Sequence, residues 1–314
     1  MSNFYLGGTN GYKTRFLMGI GIGAMSASGL LFADSKTEVA KAGASGLNGF
    51  IDTHAHAFTK ALPRAAQIRY SPEYDATYDD FLAAMKPFSF DRGVLVQPSF
   101  LGFDNSYVLE AIKKYPKNFK GIAVIPEDTP FEEMKKLKSQ GIEGIRLNLF
   151  GKELPDFKTP VWQTCLKNLE ALKWQLELHV PAKEYPKLLP DLEKFKINIV
   201  IDHMGRFDPK LGIKDEGFEY LVSYPKKENI WFKCSGFYRL GKGEIGHKNA
   251  VEAFDALKKA YGIEKFVWGS DWPHTQNEKE ITYKTSFEFI ENFKLTPKEK
   301  ELVLKTNAIK LFNF

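Results

Sequence analysis

The chain has 314 residues, with 43% hydrophobic and 26% charged residues and a formal net charge of +5. That length suits one large domain and supplies enough apolar residues for a full core. The mild charge, with lysines and acids interspersed and no basic stripe, argues against nucleic acid as a partner.

Residues 1–46 differ in composition from the remainder of the chain. Lys13 and Arg15 precede an apolar, glycine-rich run from Phe16 to about Ala33, and a small-residue linker, SKTEVAKAGASG, comes after it. The run is too interrupted for an integral membrane span. The order basic, apolar, small is that of a secretory signal. KTRFLMG resembles a twin-arginine export signal in which Lys13-Thr14 stands at the arginine pair. Export to the periplasm is therefore expected, with a retained cytoplasmic leader as the alternative.

From residue 47 to 314, eight short apolar runs alternate with amphipathic stretches: GFIDTHAH, RGVLVQPS, KGIAVIP, IEGIRLNLF, QLELHVP, INIVIDHMG, IWFKCSG and KFVWGSDWPH. Runs rich in Val, Ile, Leu and Phe read as buried parallel strands. Between them lie helical patterns such as VWQTCLKNLEALKW and NAVEAFDALKKAYG. Eight strands alternating with helices predict an α/β fold, a single (β/α)8 TIM barrel, with its site at the C-terminal strand ends. Cys165 and Cys234 have no metal-type spacing and read as buried small hydrophobes.

Polar residues gather where these runs end. The first carries His54 and His56, which share a strand face with Asp52. The second ends in Gln97 and Ser99, the fourth carries Arg146 and Asn148, and the fifth ends in His179. The sixth ends in Asp202 and His203, the seventh in Lys233 and Ser235, the eighth in Asp271 and His274. Only His247, in GEIGHKNA, falls elsewhere and reads as a surface loop residue. Asp271 would face the histidines across the mouth, as a base or a metal ligand. Asp52 and Asp202 read as supporting residues. Arg146, Arg206, Arg239 and Arg69 near the same mouth suggest a pocket for a small carboxylated molecule.

DTHAH, LHV, DHMGR and WGSDWPH together resemble the amidohydrolase superfamily, closest to its 2-pyrone-4,6-dicarboxylate lactonase branch and related sugar-acid lactonases. RYSP, VLVQPS, GFDN, GIEGIRLN and KCSGFYRL extend the resemblance from about Phe50 to the C-terminus. It implies a hydrolase that opens a carboxylated lactone of the pyrone-dicarboxylate, muconolactone or sugar-acid type. Asp271 would activate water, and His54, His56, His203 and His179 would polarise the carbonyl. Arg146, Arg206, Arg239, Tyr70, Ser99, Asn105 and His274 would bind the substrate. The resemblance implies no required cofactor and no metal. The alternative is one Zn2+ or Mn2+ held by His54, His56, His179, His203 and Asp271. Arg146 opposes a second metal by its charge. A zinc-dependent decarboxylase of the same superfamily and a catalytically silent acid-binding protein are the rival readings. A monomer and a homodimer are both compatible with the sequence.

Overall fold

In the computed structural model, residues 49–66, 68–225 and 228–314 are described, so the expected leader and its export signal lie outside the described residues. The eight strands are β1 (Phe50–Ala55), β2 (Phe90–Val96), β3 (Phe119–Ala123), β4 (Ile142–Asn148), β5 (Gln175–His179), β6 (Ile199–Ile201), β7 (Ile230–Cys234) and β8 (Phe266–Trp268). Each overlaps one of the eight apolar runs, β2 and β3 beginning two residues and one residue before theirs. Helices follow them in strict alternation: α1 (Tyr78–Met85), α2 (Ser106–Lys114), α3 (Phe131–Ser139), α4 (Pro160–Leu172), α5 (Tyr185–Leu192), α6 (Glu216–Ser223), α7 (Gly243–Tyr261) and α8 (Tyr283–Glu288). The sheet runs β1 to β8 in sequence order, every neighbouring pair parallel. This is the expected (β/α)8 barrel. No helix among the described residues is long and apolar enough to cross a membrane.

The seam between β8 and β1 is closed by bonds beyond the regular ladder. Thr53 Oγ1 donates to the Trp268 carbonyl at 2.8 Å, and Ser270 N donates to Asp52 Oδ1 at 2.9 Å. Asp271 N then bonds the His54 carbonyl at 2.8 Å, and His56 N bonds the Trp272 carbonyl at 2.7 Å. Asp52 is thus a structural clasp. The same clasp fixes His54 of β1 and His56 just beyond it beside Asp271.

Two apolar layers hold the barrel. Strand residues facing outward pack against the helices, with Phe81, Phe119, Leu166, Leu189 and Phe254 fully buried. Inside, Ile51, Val94, Val96, Ile122, Val200 and Val267 pack with Ala308, Leu311 and Phe312 of a short C-terminal helix, Asn307–Phe312. That helix fills one end of the barrel with apolar side chains. Cys165 and Cys234 are buried and unpaired, as expected.

α7 begins earlier than the sequence pattern indicates. GEIGHK, read as a loop, is its first turn and a half, and His247 is an exposed helical residue. Two glycines weaken helix propensity there and obscure the pattern. Gly246 is needed for packing: a Cβ would stand 2.2 Å from the Gly241 carbonyl oxygen.

Candidate active site

The last residues of β4 and β5, with the loops after β1, β2, β6, β7 and β8, line a polar cavity. Its walls include His56, His179, His203, Asp271, Arg146, Arg206, Arg239, Arg69, Tyr70 and Ser99. Side chains this widely separated in sequence meet there because parallel strands bring their C-terminal ends to one face.

Several of these residues sit in unusual backbone. β6 stops at Ile201, and His203, Met204 and Arg206 take φ of +49°, +52° and +51°. β8 stops at Trp268, and Asp271, His274 and Gln276 take +60°, +65° and +70°. Left-handed backbone costs a non-glycine residue about 1–2 kcal/mol. Six of the ten such residues described lie in these two loops. Strain of this kind persists where surrounding contacts dictate it, typically around functional groups. Glycine makes the arrangement possible: a Cβ on Gly236 (φ +58°) would stand 2.8 Å from His203 Nδ1.

Asp271 is the electrostatic centre. Its Oδ2 accepts from Tyr238 Oη at 2.7 Å and from Arg239 Nε, while its buried Oδ1 has no hydrogen-bond partner. Oδ1 faces His56 Nε2 at 3.7 Å and His54 Nε2 at 3.9 Å. Burial alone would raise the carboxyl, but Arg239, His203 and His56 more than offset this and hold it far below the usual range. Asp271 is therefore an anion with one oxygen clamped and one open.

The histidines are held neutral. Burial, then Arg146, pushes His56 down to about 4, and burial pushes His274 to about 4 against the pull of Asp271. His54, His179 and His203 lie well below the ordinary value, again through burial first. His203 Nδ1 pairs with Ser235 Oγ at 2.8 Å. Both ring nitrogens of His179 are buried with no hydrogen-bond partner, and Phe150 lies against its ring at 4.7 Å between centroids.

The consequence for stability has a definite sign. Between about 4 and 6.5 the unfolded chain binds protons on these five histidines that the folded chain does not. Their contribution is complete above pH 6.5 and is lost as pH falls toward 4. Asp52 and Glu177, raised by burial to about 6 and about 7, act in the opposite sense but are fewer. The melting temperature in chelator-containing buffer is expected to fall as pH drops from 6.5 to 4.5. Calorimetry showing a flat or rising profile would contradict this.

The arginines divide by their existing partners. Arg146 Nε donates to Asp202 Oδ2 at 2.8 Å, and Arg239 is committed to Asp271. Arg69 donates to Asn148 Oδ1 at 3.3 Å and stands 5.9 Å from the centre of the Phe150 ring. Arg206 gives one bond to the Arg239 carbonyl at 2.5 Å, stacks over Phe150 at 4.6 Å, and leaves a buried Nε without a partner. Burial and the neighbouring Arg239 push Arg206 down to about 10. An anion entering the cavity would relieve both.

Not every expected residue lines the cavity. Asn105 does not: its amide nitrogen donates to the Phe103 and Val124 carbonyls and its oxygen accepts from Val124 N. It ties the loop after β2 to the end of β3, and its hydrogen-bonding groups are already used. His274 stands behind Asp271, 3.3 Å from Tyr238 Oη. His54 lies beneath His56, and Asp202 supports Arg146. Tyr238 and Glu177 are additions that sequence reasoning had no means of singling out. A phenol between two strands and a carboxylate inside a strand carry no spacing signal.

A family model described as Amidohydrolase matches residues 51–314. A crystal structure from Acinetobacter baumannii, described as a probable 2-pyrone-4,6-dicarboxylic acid hydrolase with citric acid bound, is 44% identical with a TM-score of 0.83. The match covers 85% of this chain and all of that one. A Pseudomonas putida structure described as a putative hydrolase of the same acid is 37% identical with a TM-score of 0.80, covering 84% and 97%. The 4-sulfomuconolactone hydrolase of Hydrogenophaga intermedia is 28% identical over 72% of this chain and 75% of its own.

The expectation that no metal is required is corrected by this geometry. Ligand atoms of His54, His56 and Asp271 lie within 4.8 Å of one another, and so do those of His54, Asp202 and His203. The open Asp271 Oδ1 and two facing imidazoles form a donor set that fits a divalent cation. Structures sharing this fold from Burkholderia multivorans and Polaromonas, 18% and 16% identical with TM-scores of 0.68 and 0.60, are described with bound zinc and manganese. The metal-free expectation came from the resemblance alone, and Arg146 on β4 argues only against a second metal.

Proposed function

The chain belongs to the amidohydrolase family, and we propose that within it this enzyme hydrolyses a small lactone bearing one or more carboxylates. The observation that carries this reading is the pairing, in one cavity, of an ionised carboxylate with an open oxygen and four arginines. The names of the relatives, hydrolases of pyrone dicarboxylate and sulfomuconolactone, support the same substrate class.

Asp271 takes the proton from the attacking water through Oδ1. Tyr238 and Arg239 hold its other oxygen so that Oδ1 keeps its aim. His179 and His203, neutral and buried, face the cavity as donors to the carbonyl oxygen as it gains charge. One such donor is worth about 2.7–4 kcal/mol of transition-state stabilisation. His54, His56 and Asp271 would hold a divalent cation, which when bound polarises a carbonyl and acidifies water. Arg206 and Arg69 bind the substrate carboxylates and turn the scissile carbonyl toward Asp271. Phe150 limits the pocket above His179.

Arg206→Met is expected to raise KM for a carboxylated lactone about tenfold to a hundredfold, the range for loss of a hydrogen bond to a charged group. Its effect on kcat should be several-fold smaller. Steady-state kinetics separate the two, and a kcat loss with unchanged KM would contradict the role.

Ring opening of a panel of mono- and dicarboxylated lactones by protein loaded with zinc or manganese tests the function. Turnover within the panel is expected. Absence of ring opening, with release of CO2 from a carboxylated aromatic, would replace the proposal by a decarboxylase.

A further inference from the structure

Below the cavity, Lys233 Nζ stands 2.6 Å from Glu177 Oε1 and 3.1 Å from His54 Nδ1, and all three side chains are fully buried. An ammonium group only donates. Lys233 therefore donates one hydrogen bond to Glu177 and another to His54 Nδ1, and His54 carries its own proton on Nε2. His56 is set the other way. Its Nδ1 lies 2.8 Å from the Val96 carbonyl, which only accepts, so Nδ1 is protonated and Nε2 presents a lone pair. The two Nε2 atoms, 3.3 Å apart, are then donor and acceptor. One chain of hydrogen bonds runs from Lys233 through His54 and His56 to Val96.

We propose that Lys233 is a positioning residue that selects the tautomer of His54, and that entry of a divalent cation between His54, His56 and Asp271 reverses the choice. A cation needs the lone pair of His54 Nε2. The ring proton leaves Nε2 and returns, through solvent, at Nδ1, so the number of protons on the ring is unchanged. The Lys233–His54 bond breaks, and Nδ1–H turns to Asp202 Oδ1. That oxygen lies 3.5 Å from Nδ1 and is buried without a hydrogen-bond partner, while Arg146 holds the other oxygen of Asp202. A metal-ligating histidine commonly donates its second N–H to a carboxylate in this manner. Both partners of Nδ1, one for each tautomer, are thus already in place. Lys233 keeps Glu177 in either state. The inference rests on the cation-binding donor set and stands whether or not the substrate is a lactone.

Long-range 1H–15N spectra of histidine-labelled protein read the tautomer directly. In chelator-treated wild type, His54 is expected to be protonated at Nε2, and saturation with zinc should move the proton to Nδ1. A metal-free His54 protonated at Nδ1, or no change on saturation, would overturn the proposal. The Glu177→Met/Lys233→Met double variant removes the buried pair together and leaves net charge unchanged. It should bind zinc about 10- to 100-fold more tightly in competition with a chromophoric chelator, the scale on which second partners of ligating histidines act. Equal or weaker zinc binding would count against Lys233 as the selector.

Discussion

Asp271→Asn is expected to lower kcat by about 10²–10⁴-fold, the range for loss of a positioned base. The side chain keeps its shape, so Arg239 and Tyr238 still find an oxygen to which they can donate. What disappears is the negative charge and the acceptor at Oδ1. Because one amide oxygen now serves both clamps, an NH2 group faces the cavity where a proton should be received. KM should move little, since the substrate carboxylates are assigned to arginines on other loops. Kinetics on folded, metal-saturated variant check this, with the melting temperature recorded alongside. A variant retaining activity within tenfold of wild type would remove Asp271 from the chemistry.

Arg146→Met carries the largest expected effect on stability. Arg146 and Asp202 are almost wholly buried and joined at 2.8 Å. Removing one partner of such a pair strands the other charge and costs about 3–5 kcal/mol. Asp202 would be left near Lys233 at 3.9 Å, a cation already committed to Glu177. Arg146→Met/Asp202→Asn should recover much of the loss, because no carboxylate then needs a counter-charge. Denaturant unfolding measures both. If the double variant is no more stable than the single one, the pair is not the source of the loss.

The barrel was legible because its strands are buried on both faces and read as mainly apolar runs, most of them with polar residues gathered where the strand leaves the core. His56, His179, His203, Asp271 and Arg146 could be placed at one mouth on that ground alone. The finer arrangement was not legible. Whether Asp271 or His274 would face the cavity depends on left-handed turns after β8 that no pattern of non-glycine residues announces. Asn105 occupied a plausible strand-end position, yet its amide is consumed by backbone groups that only the fold brings near. Lys233 was visible as a strand-end residue, but its partner Glu177 lies in the interior of β5, where a carboxylate is tolerated only because a cation stands opposite. The metal question turned on the distances among His54, His56 and Asp271, which spacing along the chain does not contain.

The central claim is that the arginine-lined cavity hydrolyses lactones because they carry carboxylates. Its most direct measurement is kcat/KM for one dicarboxylated lactone against the same ring with its carboxylates methylated, on metal-loaded wild type. Two lost charge-assisted contacts, each worth about 1.5–3 kcal/mol, should lower kcat/KM for the ester by at least a hundredfold. Equal efficiency on both, or a preference for the ester, would contradict the claim.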